Sequence, residues 1–327
     1  MTYRSAYILS CLLAAIVLFI HNDCPAQDNT GSLLTKEIAV TFDDLPFASD
    51  EYDPQTQEAF SKKLAGILNK YKIPAIGFVN EGKLYNGTEI DQVKLGILRL
   101  WLSSGLELGN HTFSHIGLND TGLSDFEADV IKGESVIRKL MNDYGKKPEF
   151  FRHPYLQTGK SLGKRDSFEV FLSSHGYRTA PVTVDNSDWI FARAYDKARS
   201  AGDKEMMRKV AEAYIPYMES KIEYYEQQSQ QLFGRQIKQI LLVHANPVNS
   251  DHFGKIAEML LRRGYKFISI GESLQDSAYK SPDTFIKPGG ISWIHRWAIS
   301  KGFKRDFFKG EPVTPEFVMK QAGVDEE

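Results

Sequence analysis

Hydrophobic and polar positions along the chain alternate between two periods. Short β-branched or apolar runs fall at 37–42, 75–79, 106–109, 149–152, 178–184, 239–244 and 266–270. Each has strand length and bounding turn residues. Between them lie longer stretches with helical spacing. At 55–71, Phe60, Leu64, Ile67 and Leu68 share one face. Similar patterns occupy 89–104, 124–144, 164–176 and 251–264. Gly105, Gly176 and Gly264 sit just past three of these stretches, where a left-handed cap ends a helix.

Strict alternation of strand and helix predicts an α/β protein with parallel strands and right-handed crossovers. Seven units are one short of an eightfold barrel, and the pattern alone leaves closure open. One connection is long, 190–238. Asp203 is placed to cap a helix carrying Met206, Val210 and Tyr214 on one face. Pro216 is expected to break it, and a second helix then presents Met218, Ile222 and Tyr225. Two readings stand for this insertion: a helical hairpin packed on the sheet, or a wall beside the site. The tail, 281–327, is rich in Pro, Gly and aromatics. Trp293 and Trp297 fit core packing better than a sugar platform.

The N-terminus has a different character. Arg4 precedes an apolar run from Ala6 to Ile20, followed by polar residues and Cys24-Pro25-Ala26. This reads as a signal peptide over 1–26, with a polar leader at 27–35 and a barrel domain at 36–280. The expected location is exported, periplasmic or secreted. The run is short for a membrane span, so stable insertion is expected only if the segment is retained as an anchor. Cleavage after Ala26 removes both cysteines, so a metal site in the mature chain must use His and carboxylate. Composition adds little else. With 42% hydrophobic and 25% charged residues and a formal net charge of -2, the chain can bury a full core and shows no basic footprint for nucleic acid.

The chemistry-bearing residues gather at one end of the expected strands. Asp43 and Asp44 follow the first, and His111 and His115 the third. Arg152 ends the fourth, Asp185 and Asp188 follow the fifth, and His244 ends the sixth. In parallel barrels that end is the active-site face. His111 and His115 lie one helical turn apart or on a tight loop. With a carboxylate they form a two-histidine, one-carboxylate set that suits zinc, and also cobalt, manganese or iron. Of two adjacent carboxylates, one can bind metal while the other accepts a proton from water. His244 on the same face is a candidate general acid.

Assembled, these residues resemble the NodB-homology polysaccharide deacetylases, carbohydrate esterase family four, over roughly 36–275. The resemblance rests on Thr41-Phe42-Asp43-Asp44, His111-Thr112-Phe113-Ser114-His115, Arg152-His153-Pro154-Tyr155, Asp185-Asn186-Ser187-Asp188-Trp189 and Leu242-Val243-His244, in the family's order. It implies a distorted (β/α)7 barrel and one divalent metal ion held by Asp44, His111 and His115. It implies Asp43 as base, oriented by Arg152, and His244 as acid, tuned by Asp185. The Tyr155 N–H would help hold the oxyanion, and Trp189 and Leu242 would line an acetyl pocket. The implied reaction is hydrolysis of N-acetyl groups on an amino-sugar poly- or oligosaccharide. An O-acetyl sugar esterase, a non-sugar amide hydrolase and an inactive carbohydrate-binding protein are the alternatives. His153 and Leu156 depart from the residues frequent in relatives, which bears on substrate preference.

Overall fold

The computed structural model describes residues 36–327. The expected signal peptide and polar leader lie outside the described residues. Strand β1 (Lys36–Leu45) is the axis of the fold. Ile38, Ala39, Val40, Phe42 and Leu45 are all buried, so both faces of the strand are covered, as in a parallel sheet flanked by helices.

Six further strands join it: β2 (Ile76–Val79), β3 (Glu107–Asn110), β4 (Phe150–Phe151), β5 (Arg178–Thr179), β6 (Gln239–His244) and β7 (Tyr265–Phe267). Every pairing in this sheet is parallel. The order is β5-β4-β3-β2-β1-β6, with β7 paired to the first residues of β1. The stretch after β5 then returns to β6, where Val184 bridges Leu241 in parallel. The sheet therefore curls into the distorted seven-stranded α/β barrel that the resemblance implies, with the parallel strands that the alternation predicts.

Several elements differ from expectation, each for a local reason. The fifth strand pairs only over Arg178–Thr179, not through 184. Pro181 has no N–H to give a ladder, and the chain bends before Val184 reaches β6. The last strand stops at Phe267, because Ser269 caps a short helix, α9 (Ile270–Ser273), with Glu272 completing the capping box. Helix α1 (Pro54–Lys70) begins on Asp53, which accepts the Thr56 N–H. The stretch at 89–104 opens with a hairpin, Tyr85–Asn86 against Glu89–Ile90, before α2 (Gln92–Ser103). The 124–144 stretch is two helices, α3 (Leu123–Lys132) and α4 (Ser135–Asp143), parted at Gly133. Here a Cβ would lie 2.5 Å from Phe113 N and Thr112 C, so the glycine lets the loop after β3 press against the helix break. Helices α5 (Leu162–Ser174) and α8 (Pro247–Arg262) fall where expected.

The insertion before β6 is a hairpin of α6 (Asp188–Ser200) and α7 (Lys204–Phe233). Asp203 caps α7 by accepting the Met206 N–H, as predicted. Pro216 does not break it: α7 runs unbroken for 30 residues. Buried Tyr214, Tyr217, Met218, Ile222 and Tyr225 anchor the helix on both sides of the proline, and that packing outweighs one lost backbone bond. Residues 281–327 include α10 (Trp293–Ser300) and α11 (Glu316–Ala322), which pack against α7 and α6 respectively. Trp297 is buried edge-on to Phe233 and Tyr279, so this tryptophan is core.

Candidate metal and acid–base site

The end of β1 aims two adjacent carboxylates differently. Asp43 is still in register, opposite His244 of β6. Between Phe42 and Leu45 the register with β2 shifts, and Asp44 adopts a left-handed φ of 67°. Such a bulge re-aims a side chain. A non-glycine residue held left-handed is strained, and strain of this kind collects at functional sites.

The loop after β3 brings in the histidines. His111 and His115 lie on this loop, not on a helix. Asn80 Nδ2 donates to the His111 carbonyl at 2.6 Å, and the Glu81 and Gly82 N–H groups donate to the Thr112 and Phe113 carbonyls. Asn110 Oδ1 accepts the Thr112 N–H, and Thr112 Oγ1 accepts the His115 N–H. Thr112 and His115 are also left-handed, with φ of 67° and 55°. The loop is thus fastened from three sides.

His111 Nε2 and His115 Nε2 lie 3.6 and 3.4 Å from Asp44 Oδ1. One ligand atom from each of the three residues falls within 4.8 Å of the others. His111 Nδ1 donates to the Arg152 carbonyl at 2.7 Å, which leaves Nε2 as a bare acceptor facing Asp44. Burial holds both imidazoles down to about 4, so they are neutral near pH 7. Burial works against ionisation of Asp44, but Lys83 and the histidines outweigh it and hold the carboxyl at about 2. Asp44 Oδ1 is buried with no hydrogen-bond partner. A buried anionic oxygen without a partner beside two neutral imidazoles fits a divalent cation.

Asp43 and Arg152 form the next layer. Arg152 Nη1 lies 3.6 Å from Asp43 Oδ2, and Nη2 donates to Thr41 Oγ1 at 2.8 Å. The guanidinium is wholly buried and stacks over Phe78. Burial raises the Asp43 carboxyl above its usual value, with Arg152 opposing. That is the direction a general base needs.

Beside Asp43 on β6, His244 Nδ1 donates to Asp188 Oδ1 at 2.7 Å. Asp188 also accepts the His244 N–H and the side-chain amides of Asn246 and Asn249. Burial disfavours the imidazolium, but Asp188 outweighs it and lifts His244 to about 9. The Nε2–H is left for the cleft. The carboxylate against His244 is therefore Asp188, not the expected Asp185. Asp188 is the first residue of α6, and the helix start carries its side chain to β6. Asp185 instead accepts its neighbour's N–H from Asn186, and burial pushes it up to about 6 against Lys221.

Asp43, Asp44, His111, His115 and His244 line one cleft of about 450 Å3 with Tyr155, Leu156, Asp185, Trp189 and Leu242. Every site residue named from sequence lines it except Arg152, which lies behind Asp43. Sequence reasoning missed the role of Asp188 and the presence of Gly290 on the cleft wall. Asp188 was legible in principle as the second acid of Asp185-Asn186-Ser187-Asp188. Gly290 comes from a distant tail and carries no local signal.

The fold is a parallel α/β barrel whose cleft brings two histidines and a carboxylate together with Asp43 and His244. Residues 30–178 match the family model described as polysaccharide deacetylase, and the resemblance carried by the motifs holds over that stretch. The motifs around Asp188 and His244 lie beyond it. A peptidoglycan-N-acetylglucosamine deacetylase of Bacillus cereus is 25% identical over 163 residues, 49% of this chain and 49% of its own length. The chain thus spans about half the length of that curated relative. Among solved structures, a CE4 family pseudoenzyme from Bacillus anthracis superposes with a TM-score of 0.50 at 16% identity. The likeness covers 73% of this chain and 66% of that one and concerns the fold.

Proposed function

We propose that this protein is a metal-dependent deacetylase that hydrolyses N-acetyl groups on an amino-sugar poly- or oligosaccharide, releasing acetate. The observation that carries the reading is that Asp43 and His244, neighbours in the β1–β6 ladder, line one cleft with the Asp44–His111–His115 cluster, one suited to take a proton and the other to give one.

A divalent ion held by Asp44, His111 and His115, with zinc the first choice and cobalt, manganese or iron also suited, would polarise the acetyl carbonyl and acidify water. The chain's own residues do the rest. Asp43 accepts a proton as the water oxygen bonds to the carbonyl carbon. Arg152 holds the Asp43 carboxylate in place. The Tyr155 N–H would donate to the developing oxyanion from the turn at the cleft wall. His244 Nε2 gives its proton to the sugar nitrogen as the C–N bond breaks, leaving acetate and a free amine. Trp189 and Leu242 wall the space for the acetyl methyl group.

The proposed substrate is an extracellular or cell-wall glycan, which agrees with the expected export segment. No described helix is long and apolar enough to cross a membrane. The test is acetate release by the metal-loaded chain from N-acetyl chitooligosaccharide, peptidoglycan and O-acetyl xylan. Release from the first two supports the reading. Release from xylan alone makes the protein an esterase. Glycan binding without release makes it a binding protein on this fold.

A further inference from the structure

The turn that carries the Tyr155 N–H is built unfavourably. Tyr155 and Leu156 are consecutive left-handed residues, with φ of 55° and 52°. Neither is glycine, so the local chain disfavours the conformation twice over. Something outside the turn must hold it, and the tail supplies the hold. Arg296 of α10 is buried, and its Nη2 donates to the Leu156 carbonyl at 2.7 Å. Nη1 donates to Thr158 Oγ1 at 2.7 Å and to Asp283 at 3.1 Å. Its guanidinium packs on Trp293 and Phe285, which fixes the fork. Gly290 presses on the same turn: a Cβ there would lie 1.7 Å from the Tyr155 carbonyl oxygen and 2.8 Å from Leu156 Cβ. On the far side Asn119 accepts the Gly159 N–H and donates to the Pro288 carbonyl, tying turn and tail together.

We propose that Arg296 and Gly290 are positioning residues for the deacetylation: the tail clamps the Tyr155–Leu156 turn so that the Tyr155 N–H faces the cleft. The catalytic part of this inference rests on the proposed function; the clamp itself does not. Arg296 touches no reacting atom and acts through the backbone of the turn. The clamp comes from residues about 140 positions away, 140 being the separation of Arg296 and Leu156. The part of the chain matching the family model, 30–178, thus depends on a segment outside it.

The test uses the metal-loaded full chain and four variants: Arg296→Ala, Gly290→Ala, Leu156→Gly, and Arg296→Ala with Leu156→Gly. Loss of one oxyanion donor costs on the order of 100-fold in turnover, so misplacing it should lower kcat by about 10- to 100-fold in Arg296→Ala and Gly290→Ala. KM and bound metal should stay near wild type. Leu156→Gly removes part of the left-handed cost, so Arg296→Ala should lose only a few-fold in that background. An equal loss in both backgrounds overturns the inference, because it makes Arg296 a general structural residue. Amide hydrogen exchange over 153–159 is the second arm and needs no activity. It should speed up in Arg296→Ala, and unchanged exchange overturns the clamp even if no variant folds poorly. A metal-loaded wild type that releases no acetate counts against the proposed function, while the exchange arm still judges the clamp. If Arg296→Ala does not fold, Gly290→Ala alone decides: wild-type kcat overturns the proposal.

Discussion

His244 and Asp188 are joined by a 2.7 Å hydrogen bond from Nδ1 to a fully buried carboxylate that three other N–H groups also hold. Four donors fix the orientation of the carboxylate, and the carboxylate fixes the ring. Asp188→Asn should therefore free the imidazole to lose its proton earlier. In the wild type, activity should fall on the alkaline side near the His244 value of about 9. In Asp188→Asn that limb should move toward the ordinary value of about 6.5. Asp185→Asn should leave it in place. A pH profile of kcat for the three proteins checks both, and an alkaline limb that follows Asp185 instead would sink the assignment.

The same shift predicts a stability effect. Because His244 is raised on folding, it adds stability that is full below about pH 6.5 and is lost as the pH rises through about 9. Urea unfolding of wild type and His244→Gln should therefore differ most below pH 6.5. The two should converge above pH 9, with the sign of the slope as the readout.

Metal and base should separate cleanly. His111→Ala removes one of three ligands and should lose bound metal, measured by elemental analysis after dialysis. Asp43→Asn should keep the metal and lose turnover by about 100-fold or more. Chelation should silence the wild type, and added zinc or cobalt should restore it. Asp43→Asn with near-wild-type turnover would mean that another group takes the proton.

Pro216 gives a prediction with no catalytic content. It is exposed on α7 and lacks the N–H that would reach the preceding turn. Pro216→Ala should restore that bond and raise stability by up to about 3 kcal/mol, with unchanged kcat. Thermal unfolding reads it, and a lower melting point would show that the proline fits a bend the packing needs.

What the sequence disclosed follows from how local each feature is. Apolar runs and caps are local, so the seven strands and most helices were legible. Asp44, His111 and His115 were legible because one strand end and one short loop carry all three. Asp188 was missed as the partner of His244 because Asp185 is an equally good carboxylate three residues away. Only the start of α6 decides which one turns toward β6. Pro216 misled because the packing of α7 outweighs its local penalty. The hairpin at Tyr85–Ile90 had a signal, the Asn86-Gly87 pair, with Gly87 at a φ of 63°. Arg296 had none, since its contact with Leu156 exists only once the tail has folded back.

The pairing of β1 with β6 has a consequence for when this molecule becomes functional. Thr41 Oγ1 donates to the Leu241 carbonyl across 200 residues, and two positions further on the same ladder sets Asp43 beside His244. The proposed proton acceptor and proton donor meet only after nearly the whole barrel sequence has been made. A ribosome-bound chain that stops short of β6 has Asp44, His111 and His115 but lacks the proposed acid, His244. Contacts this distant in sequence form slowly. Onset of turnover during refolding should therefore lag behind metal uptake, and that delay would time the joining of the barrel's two ends.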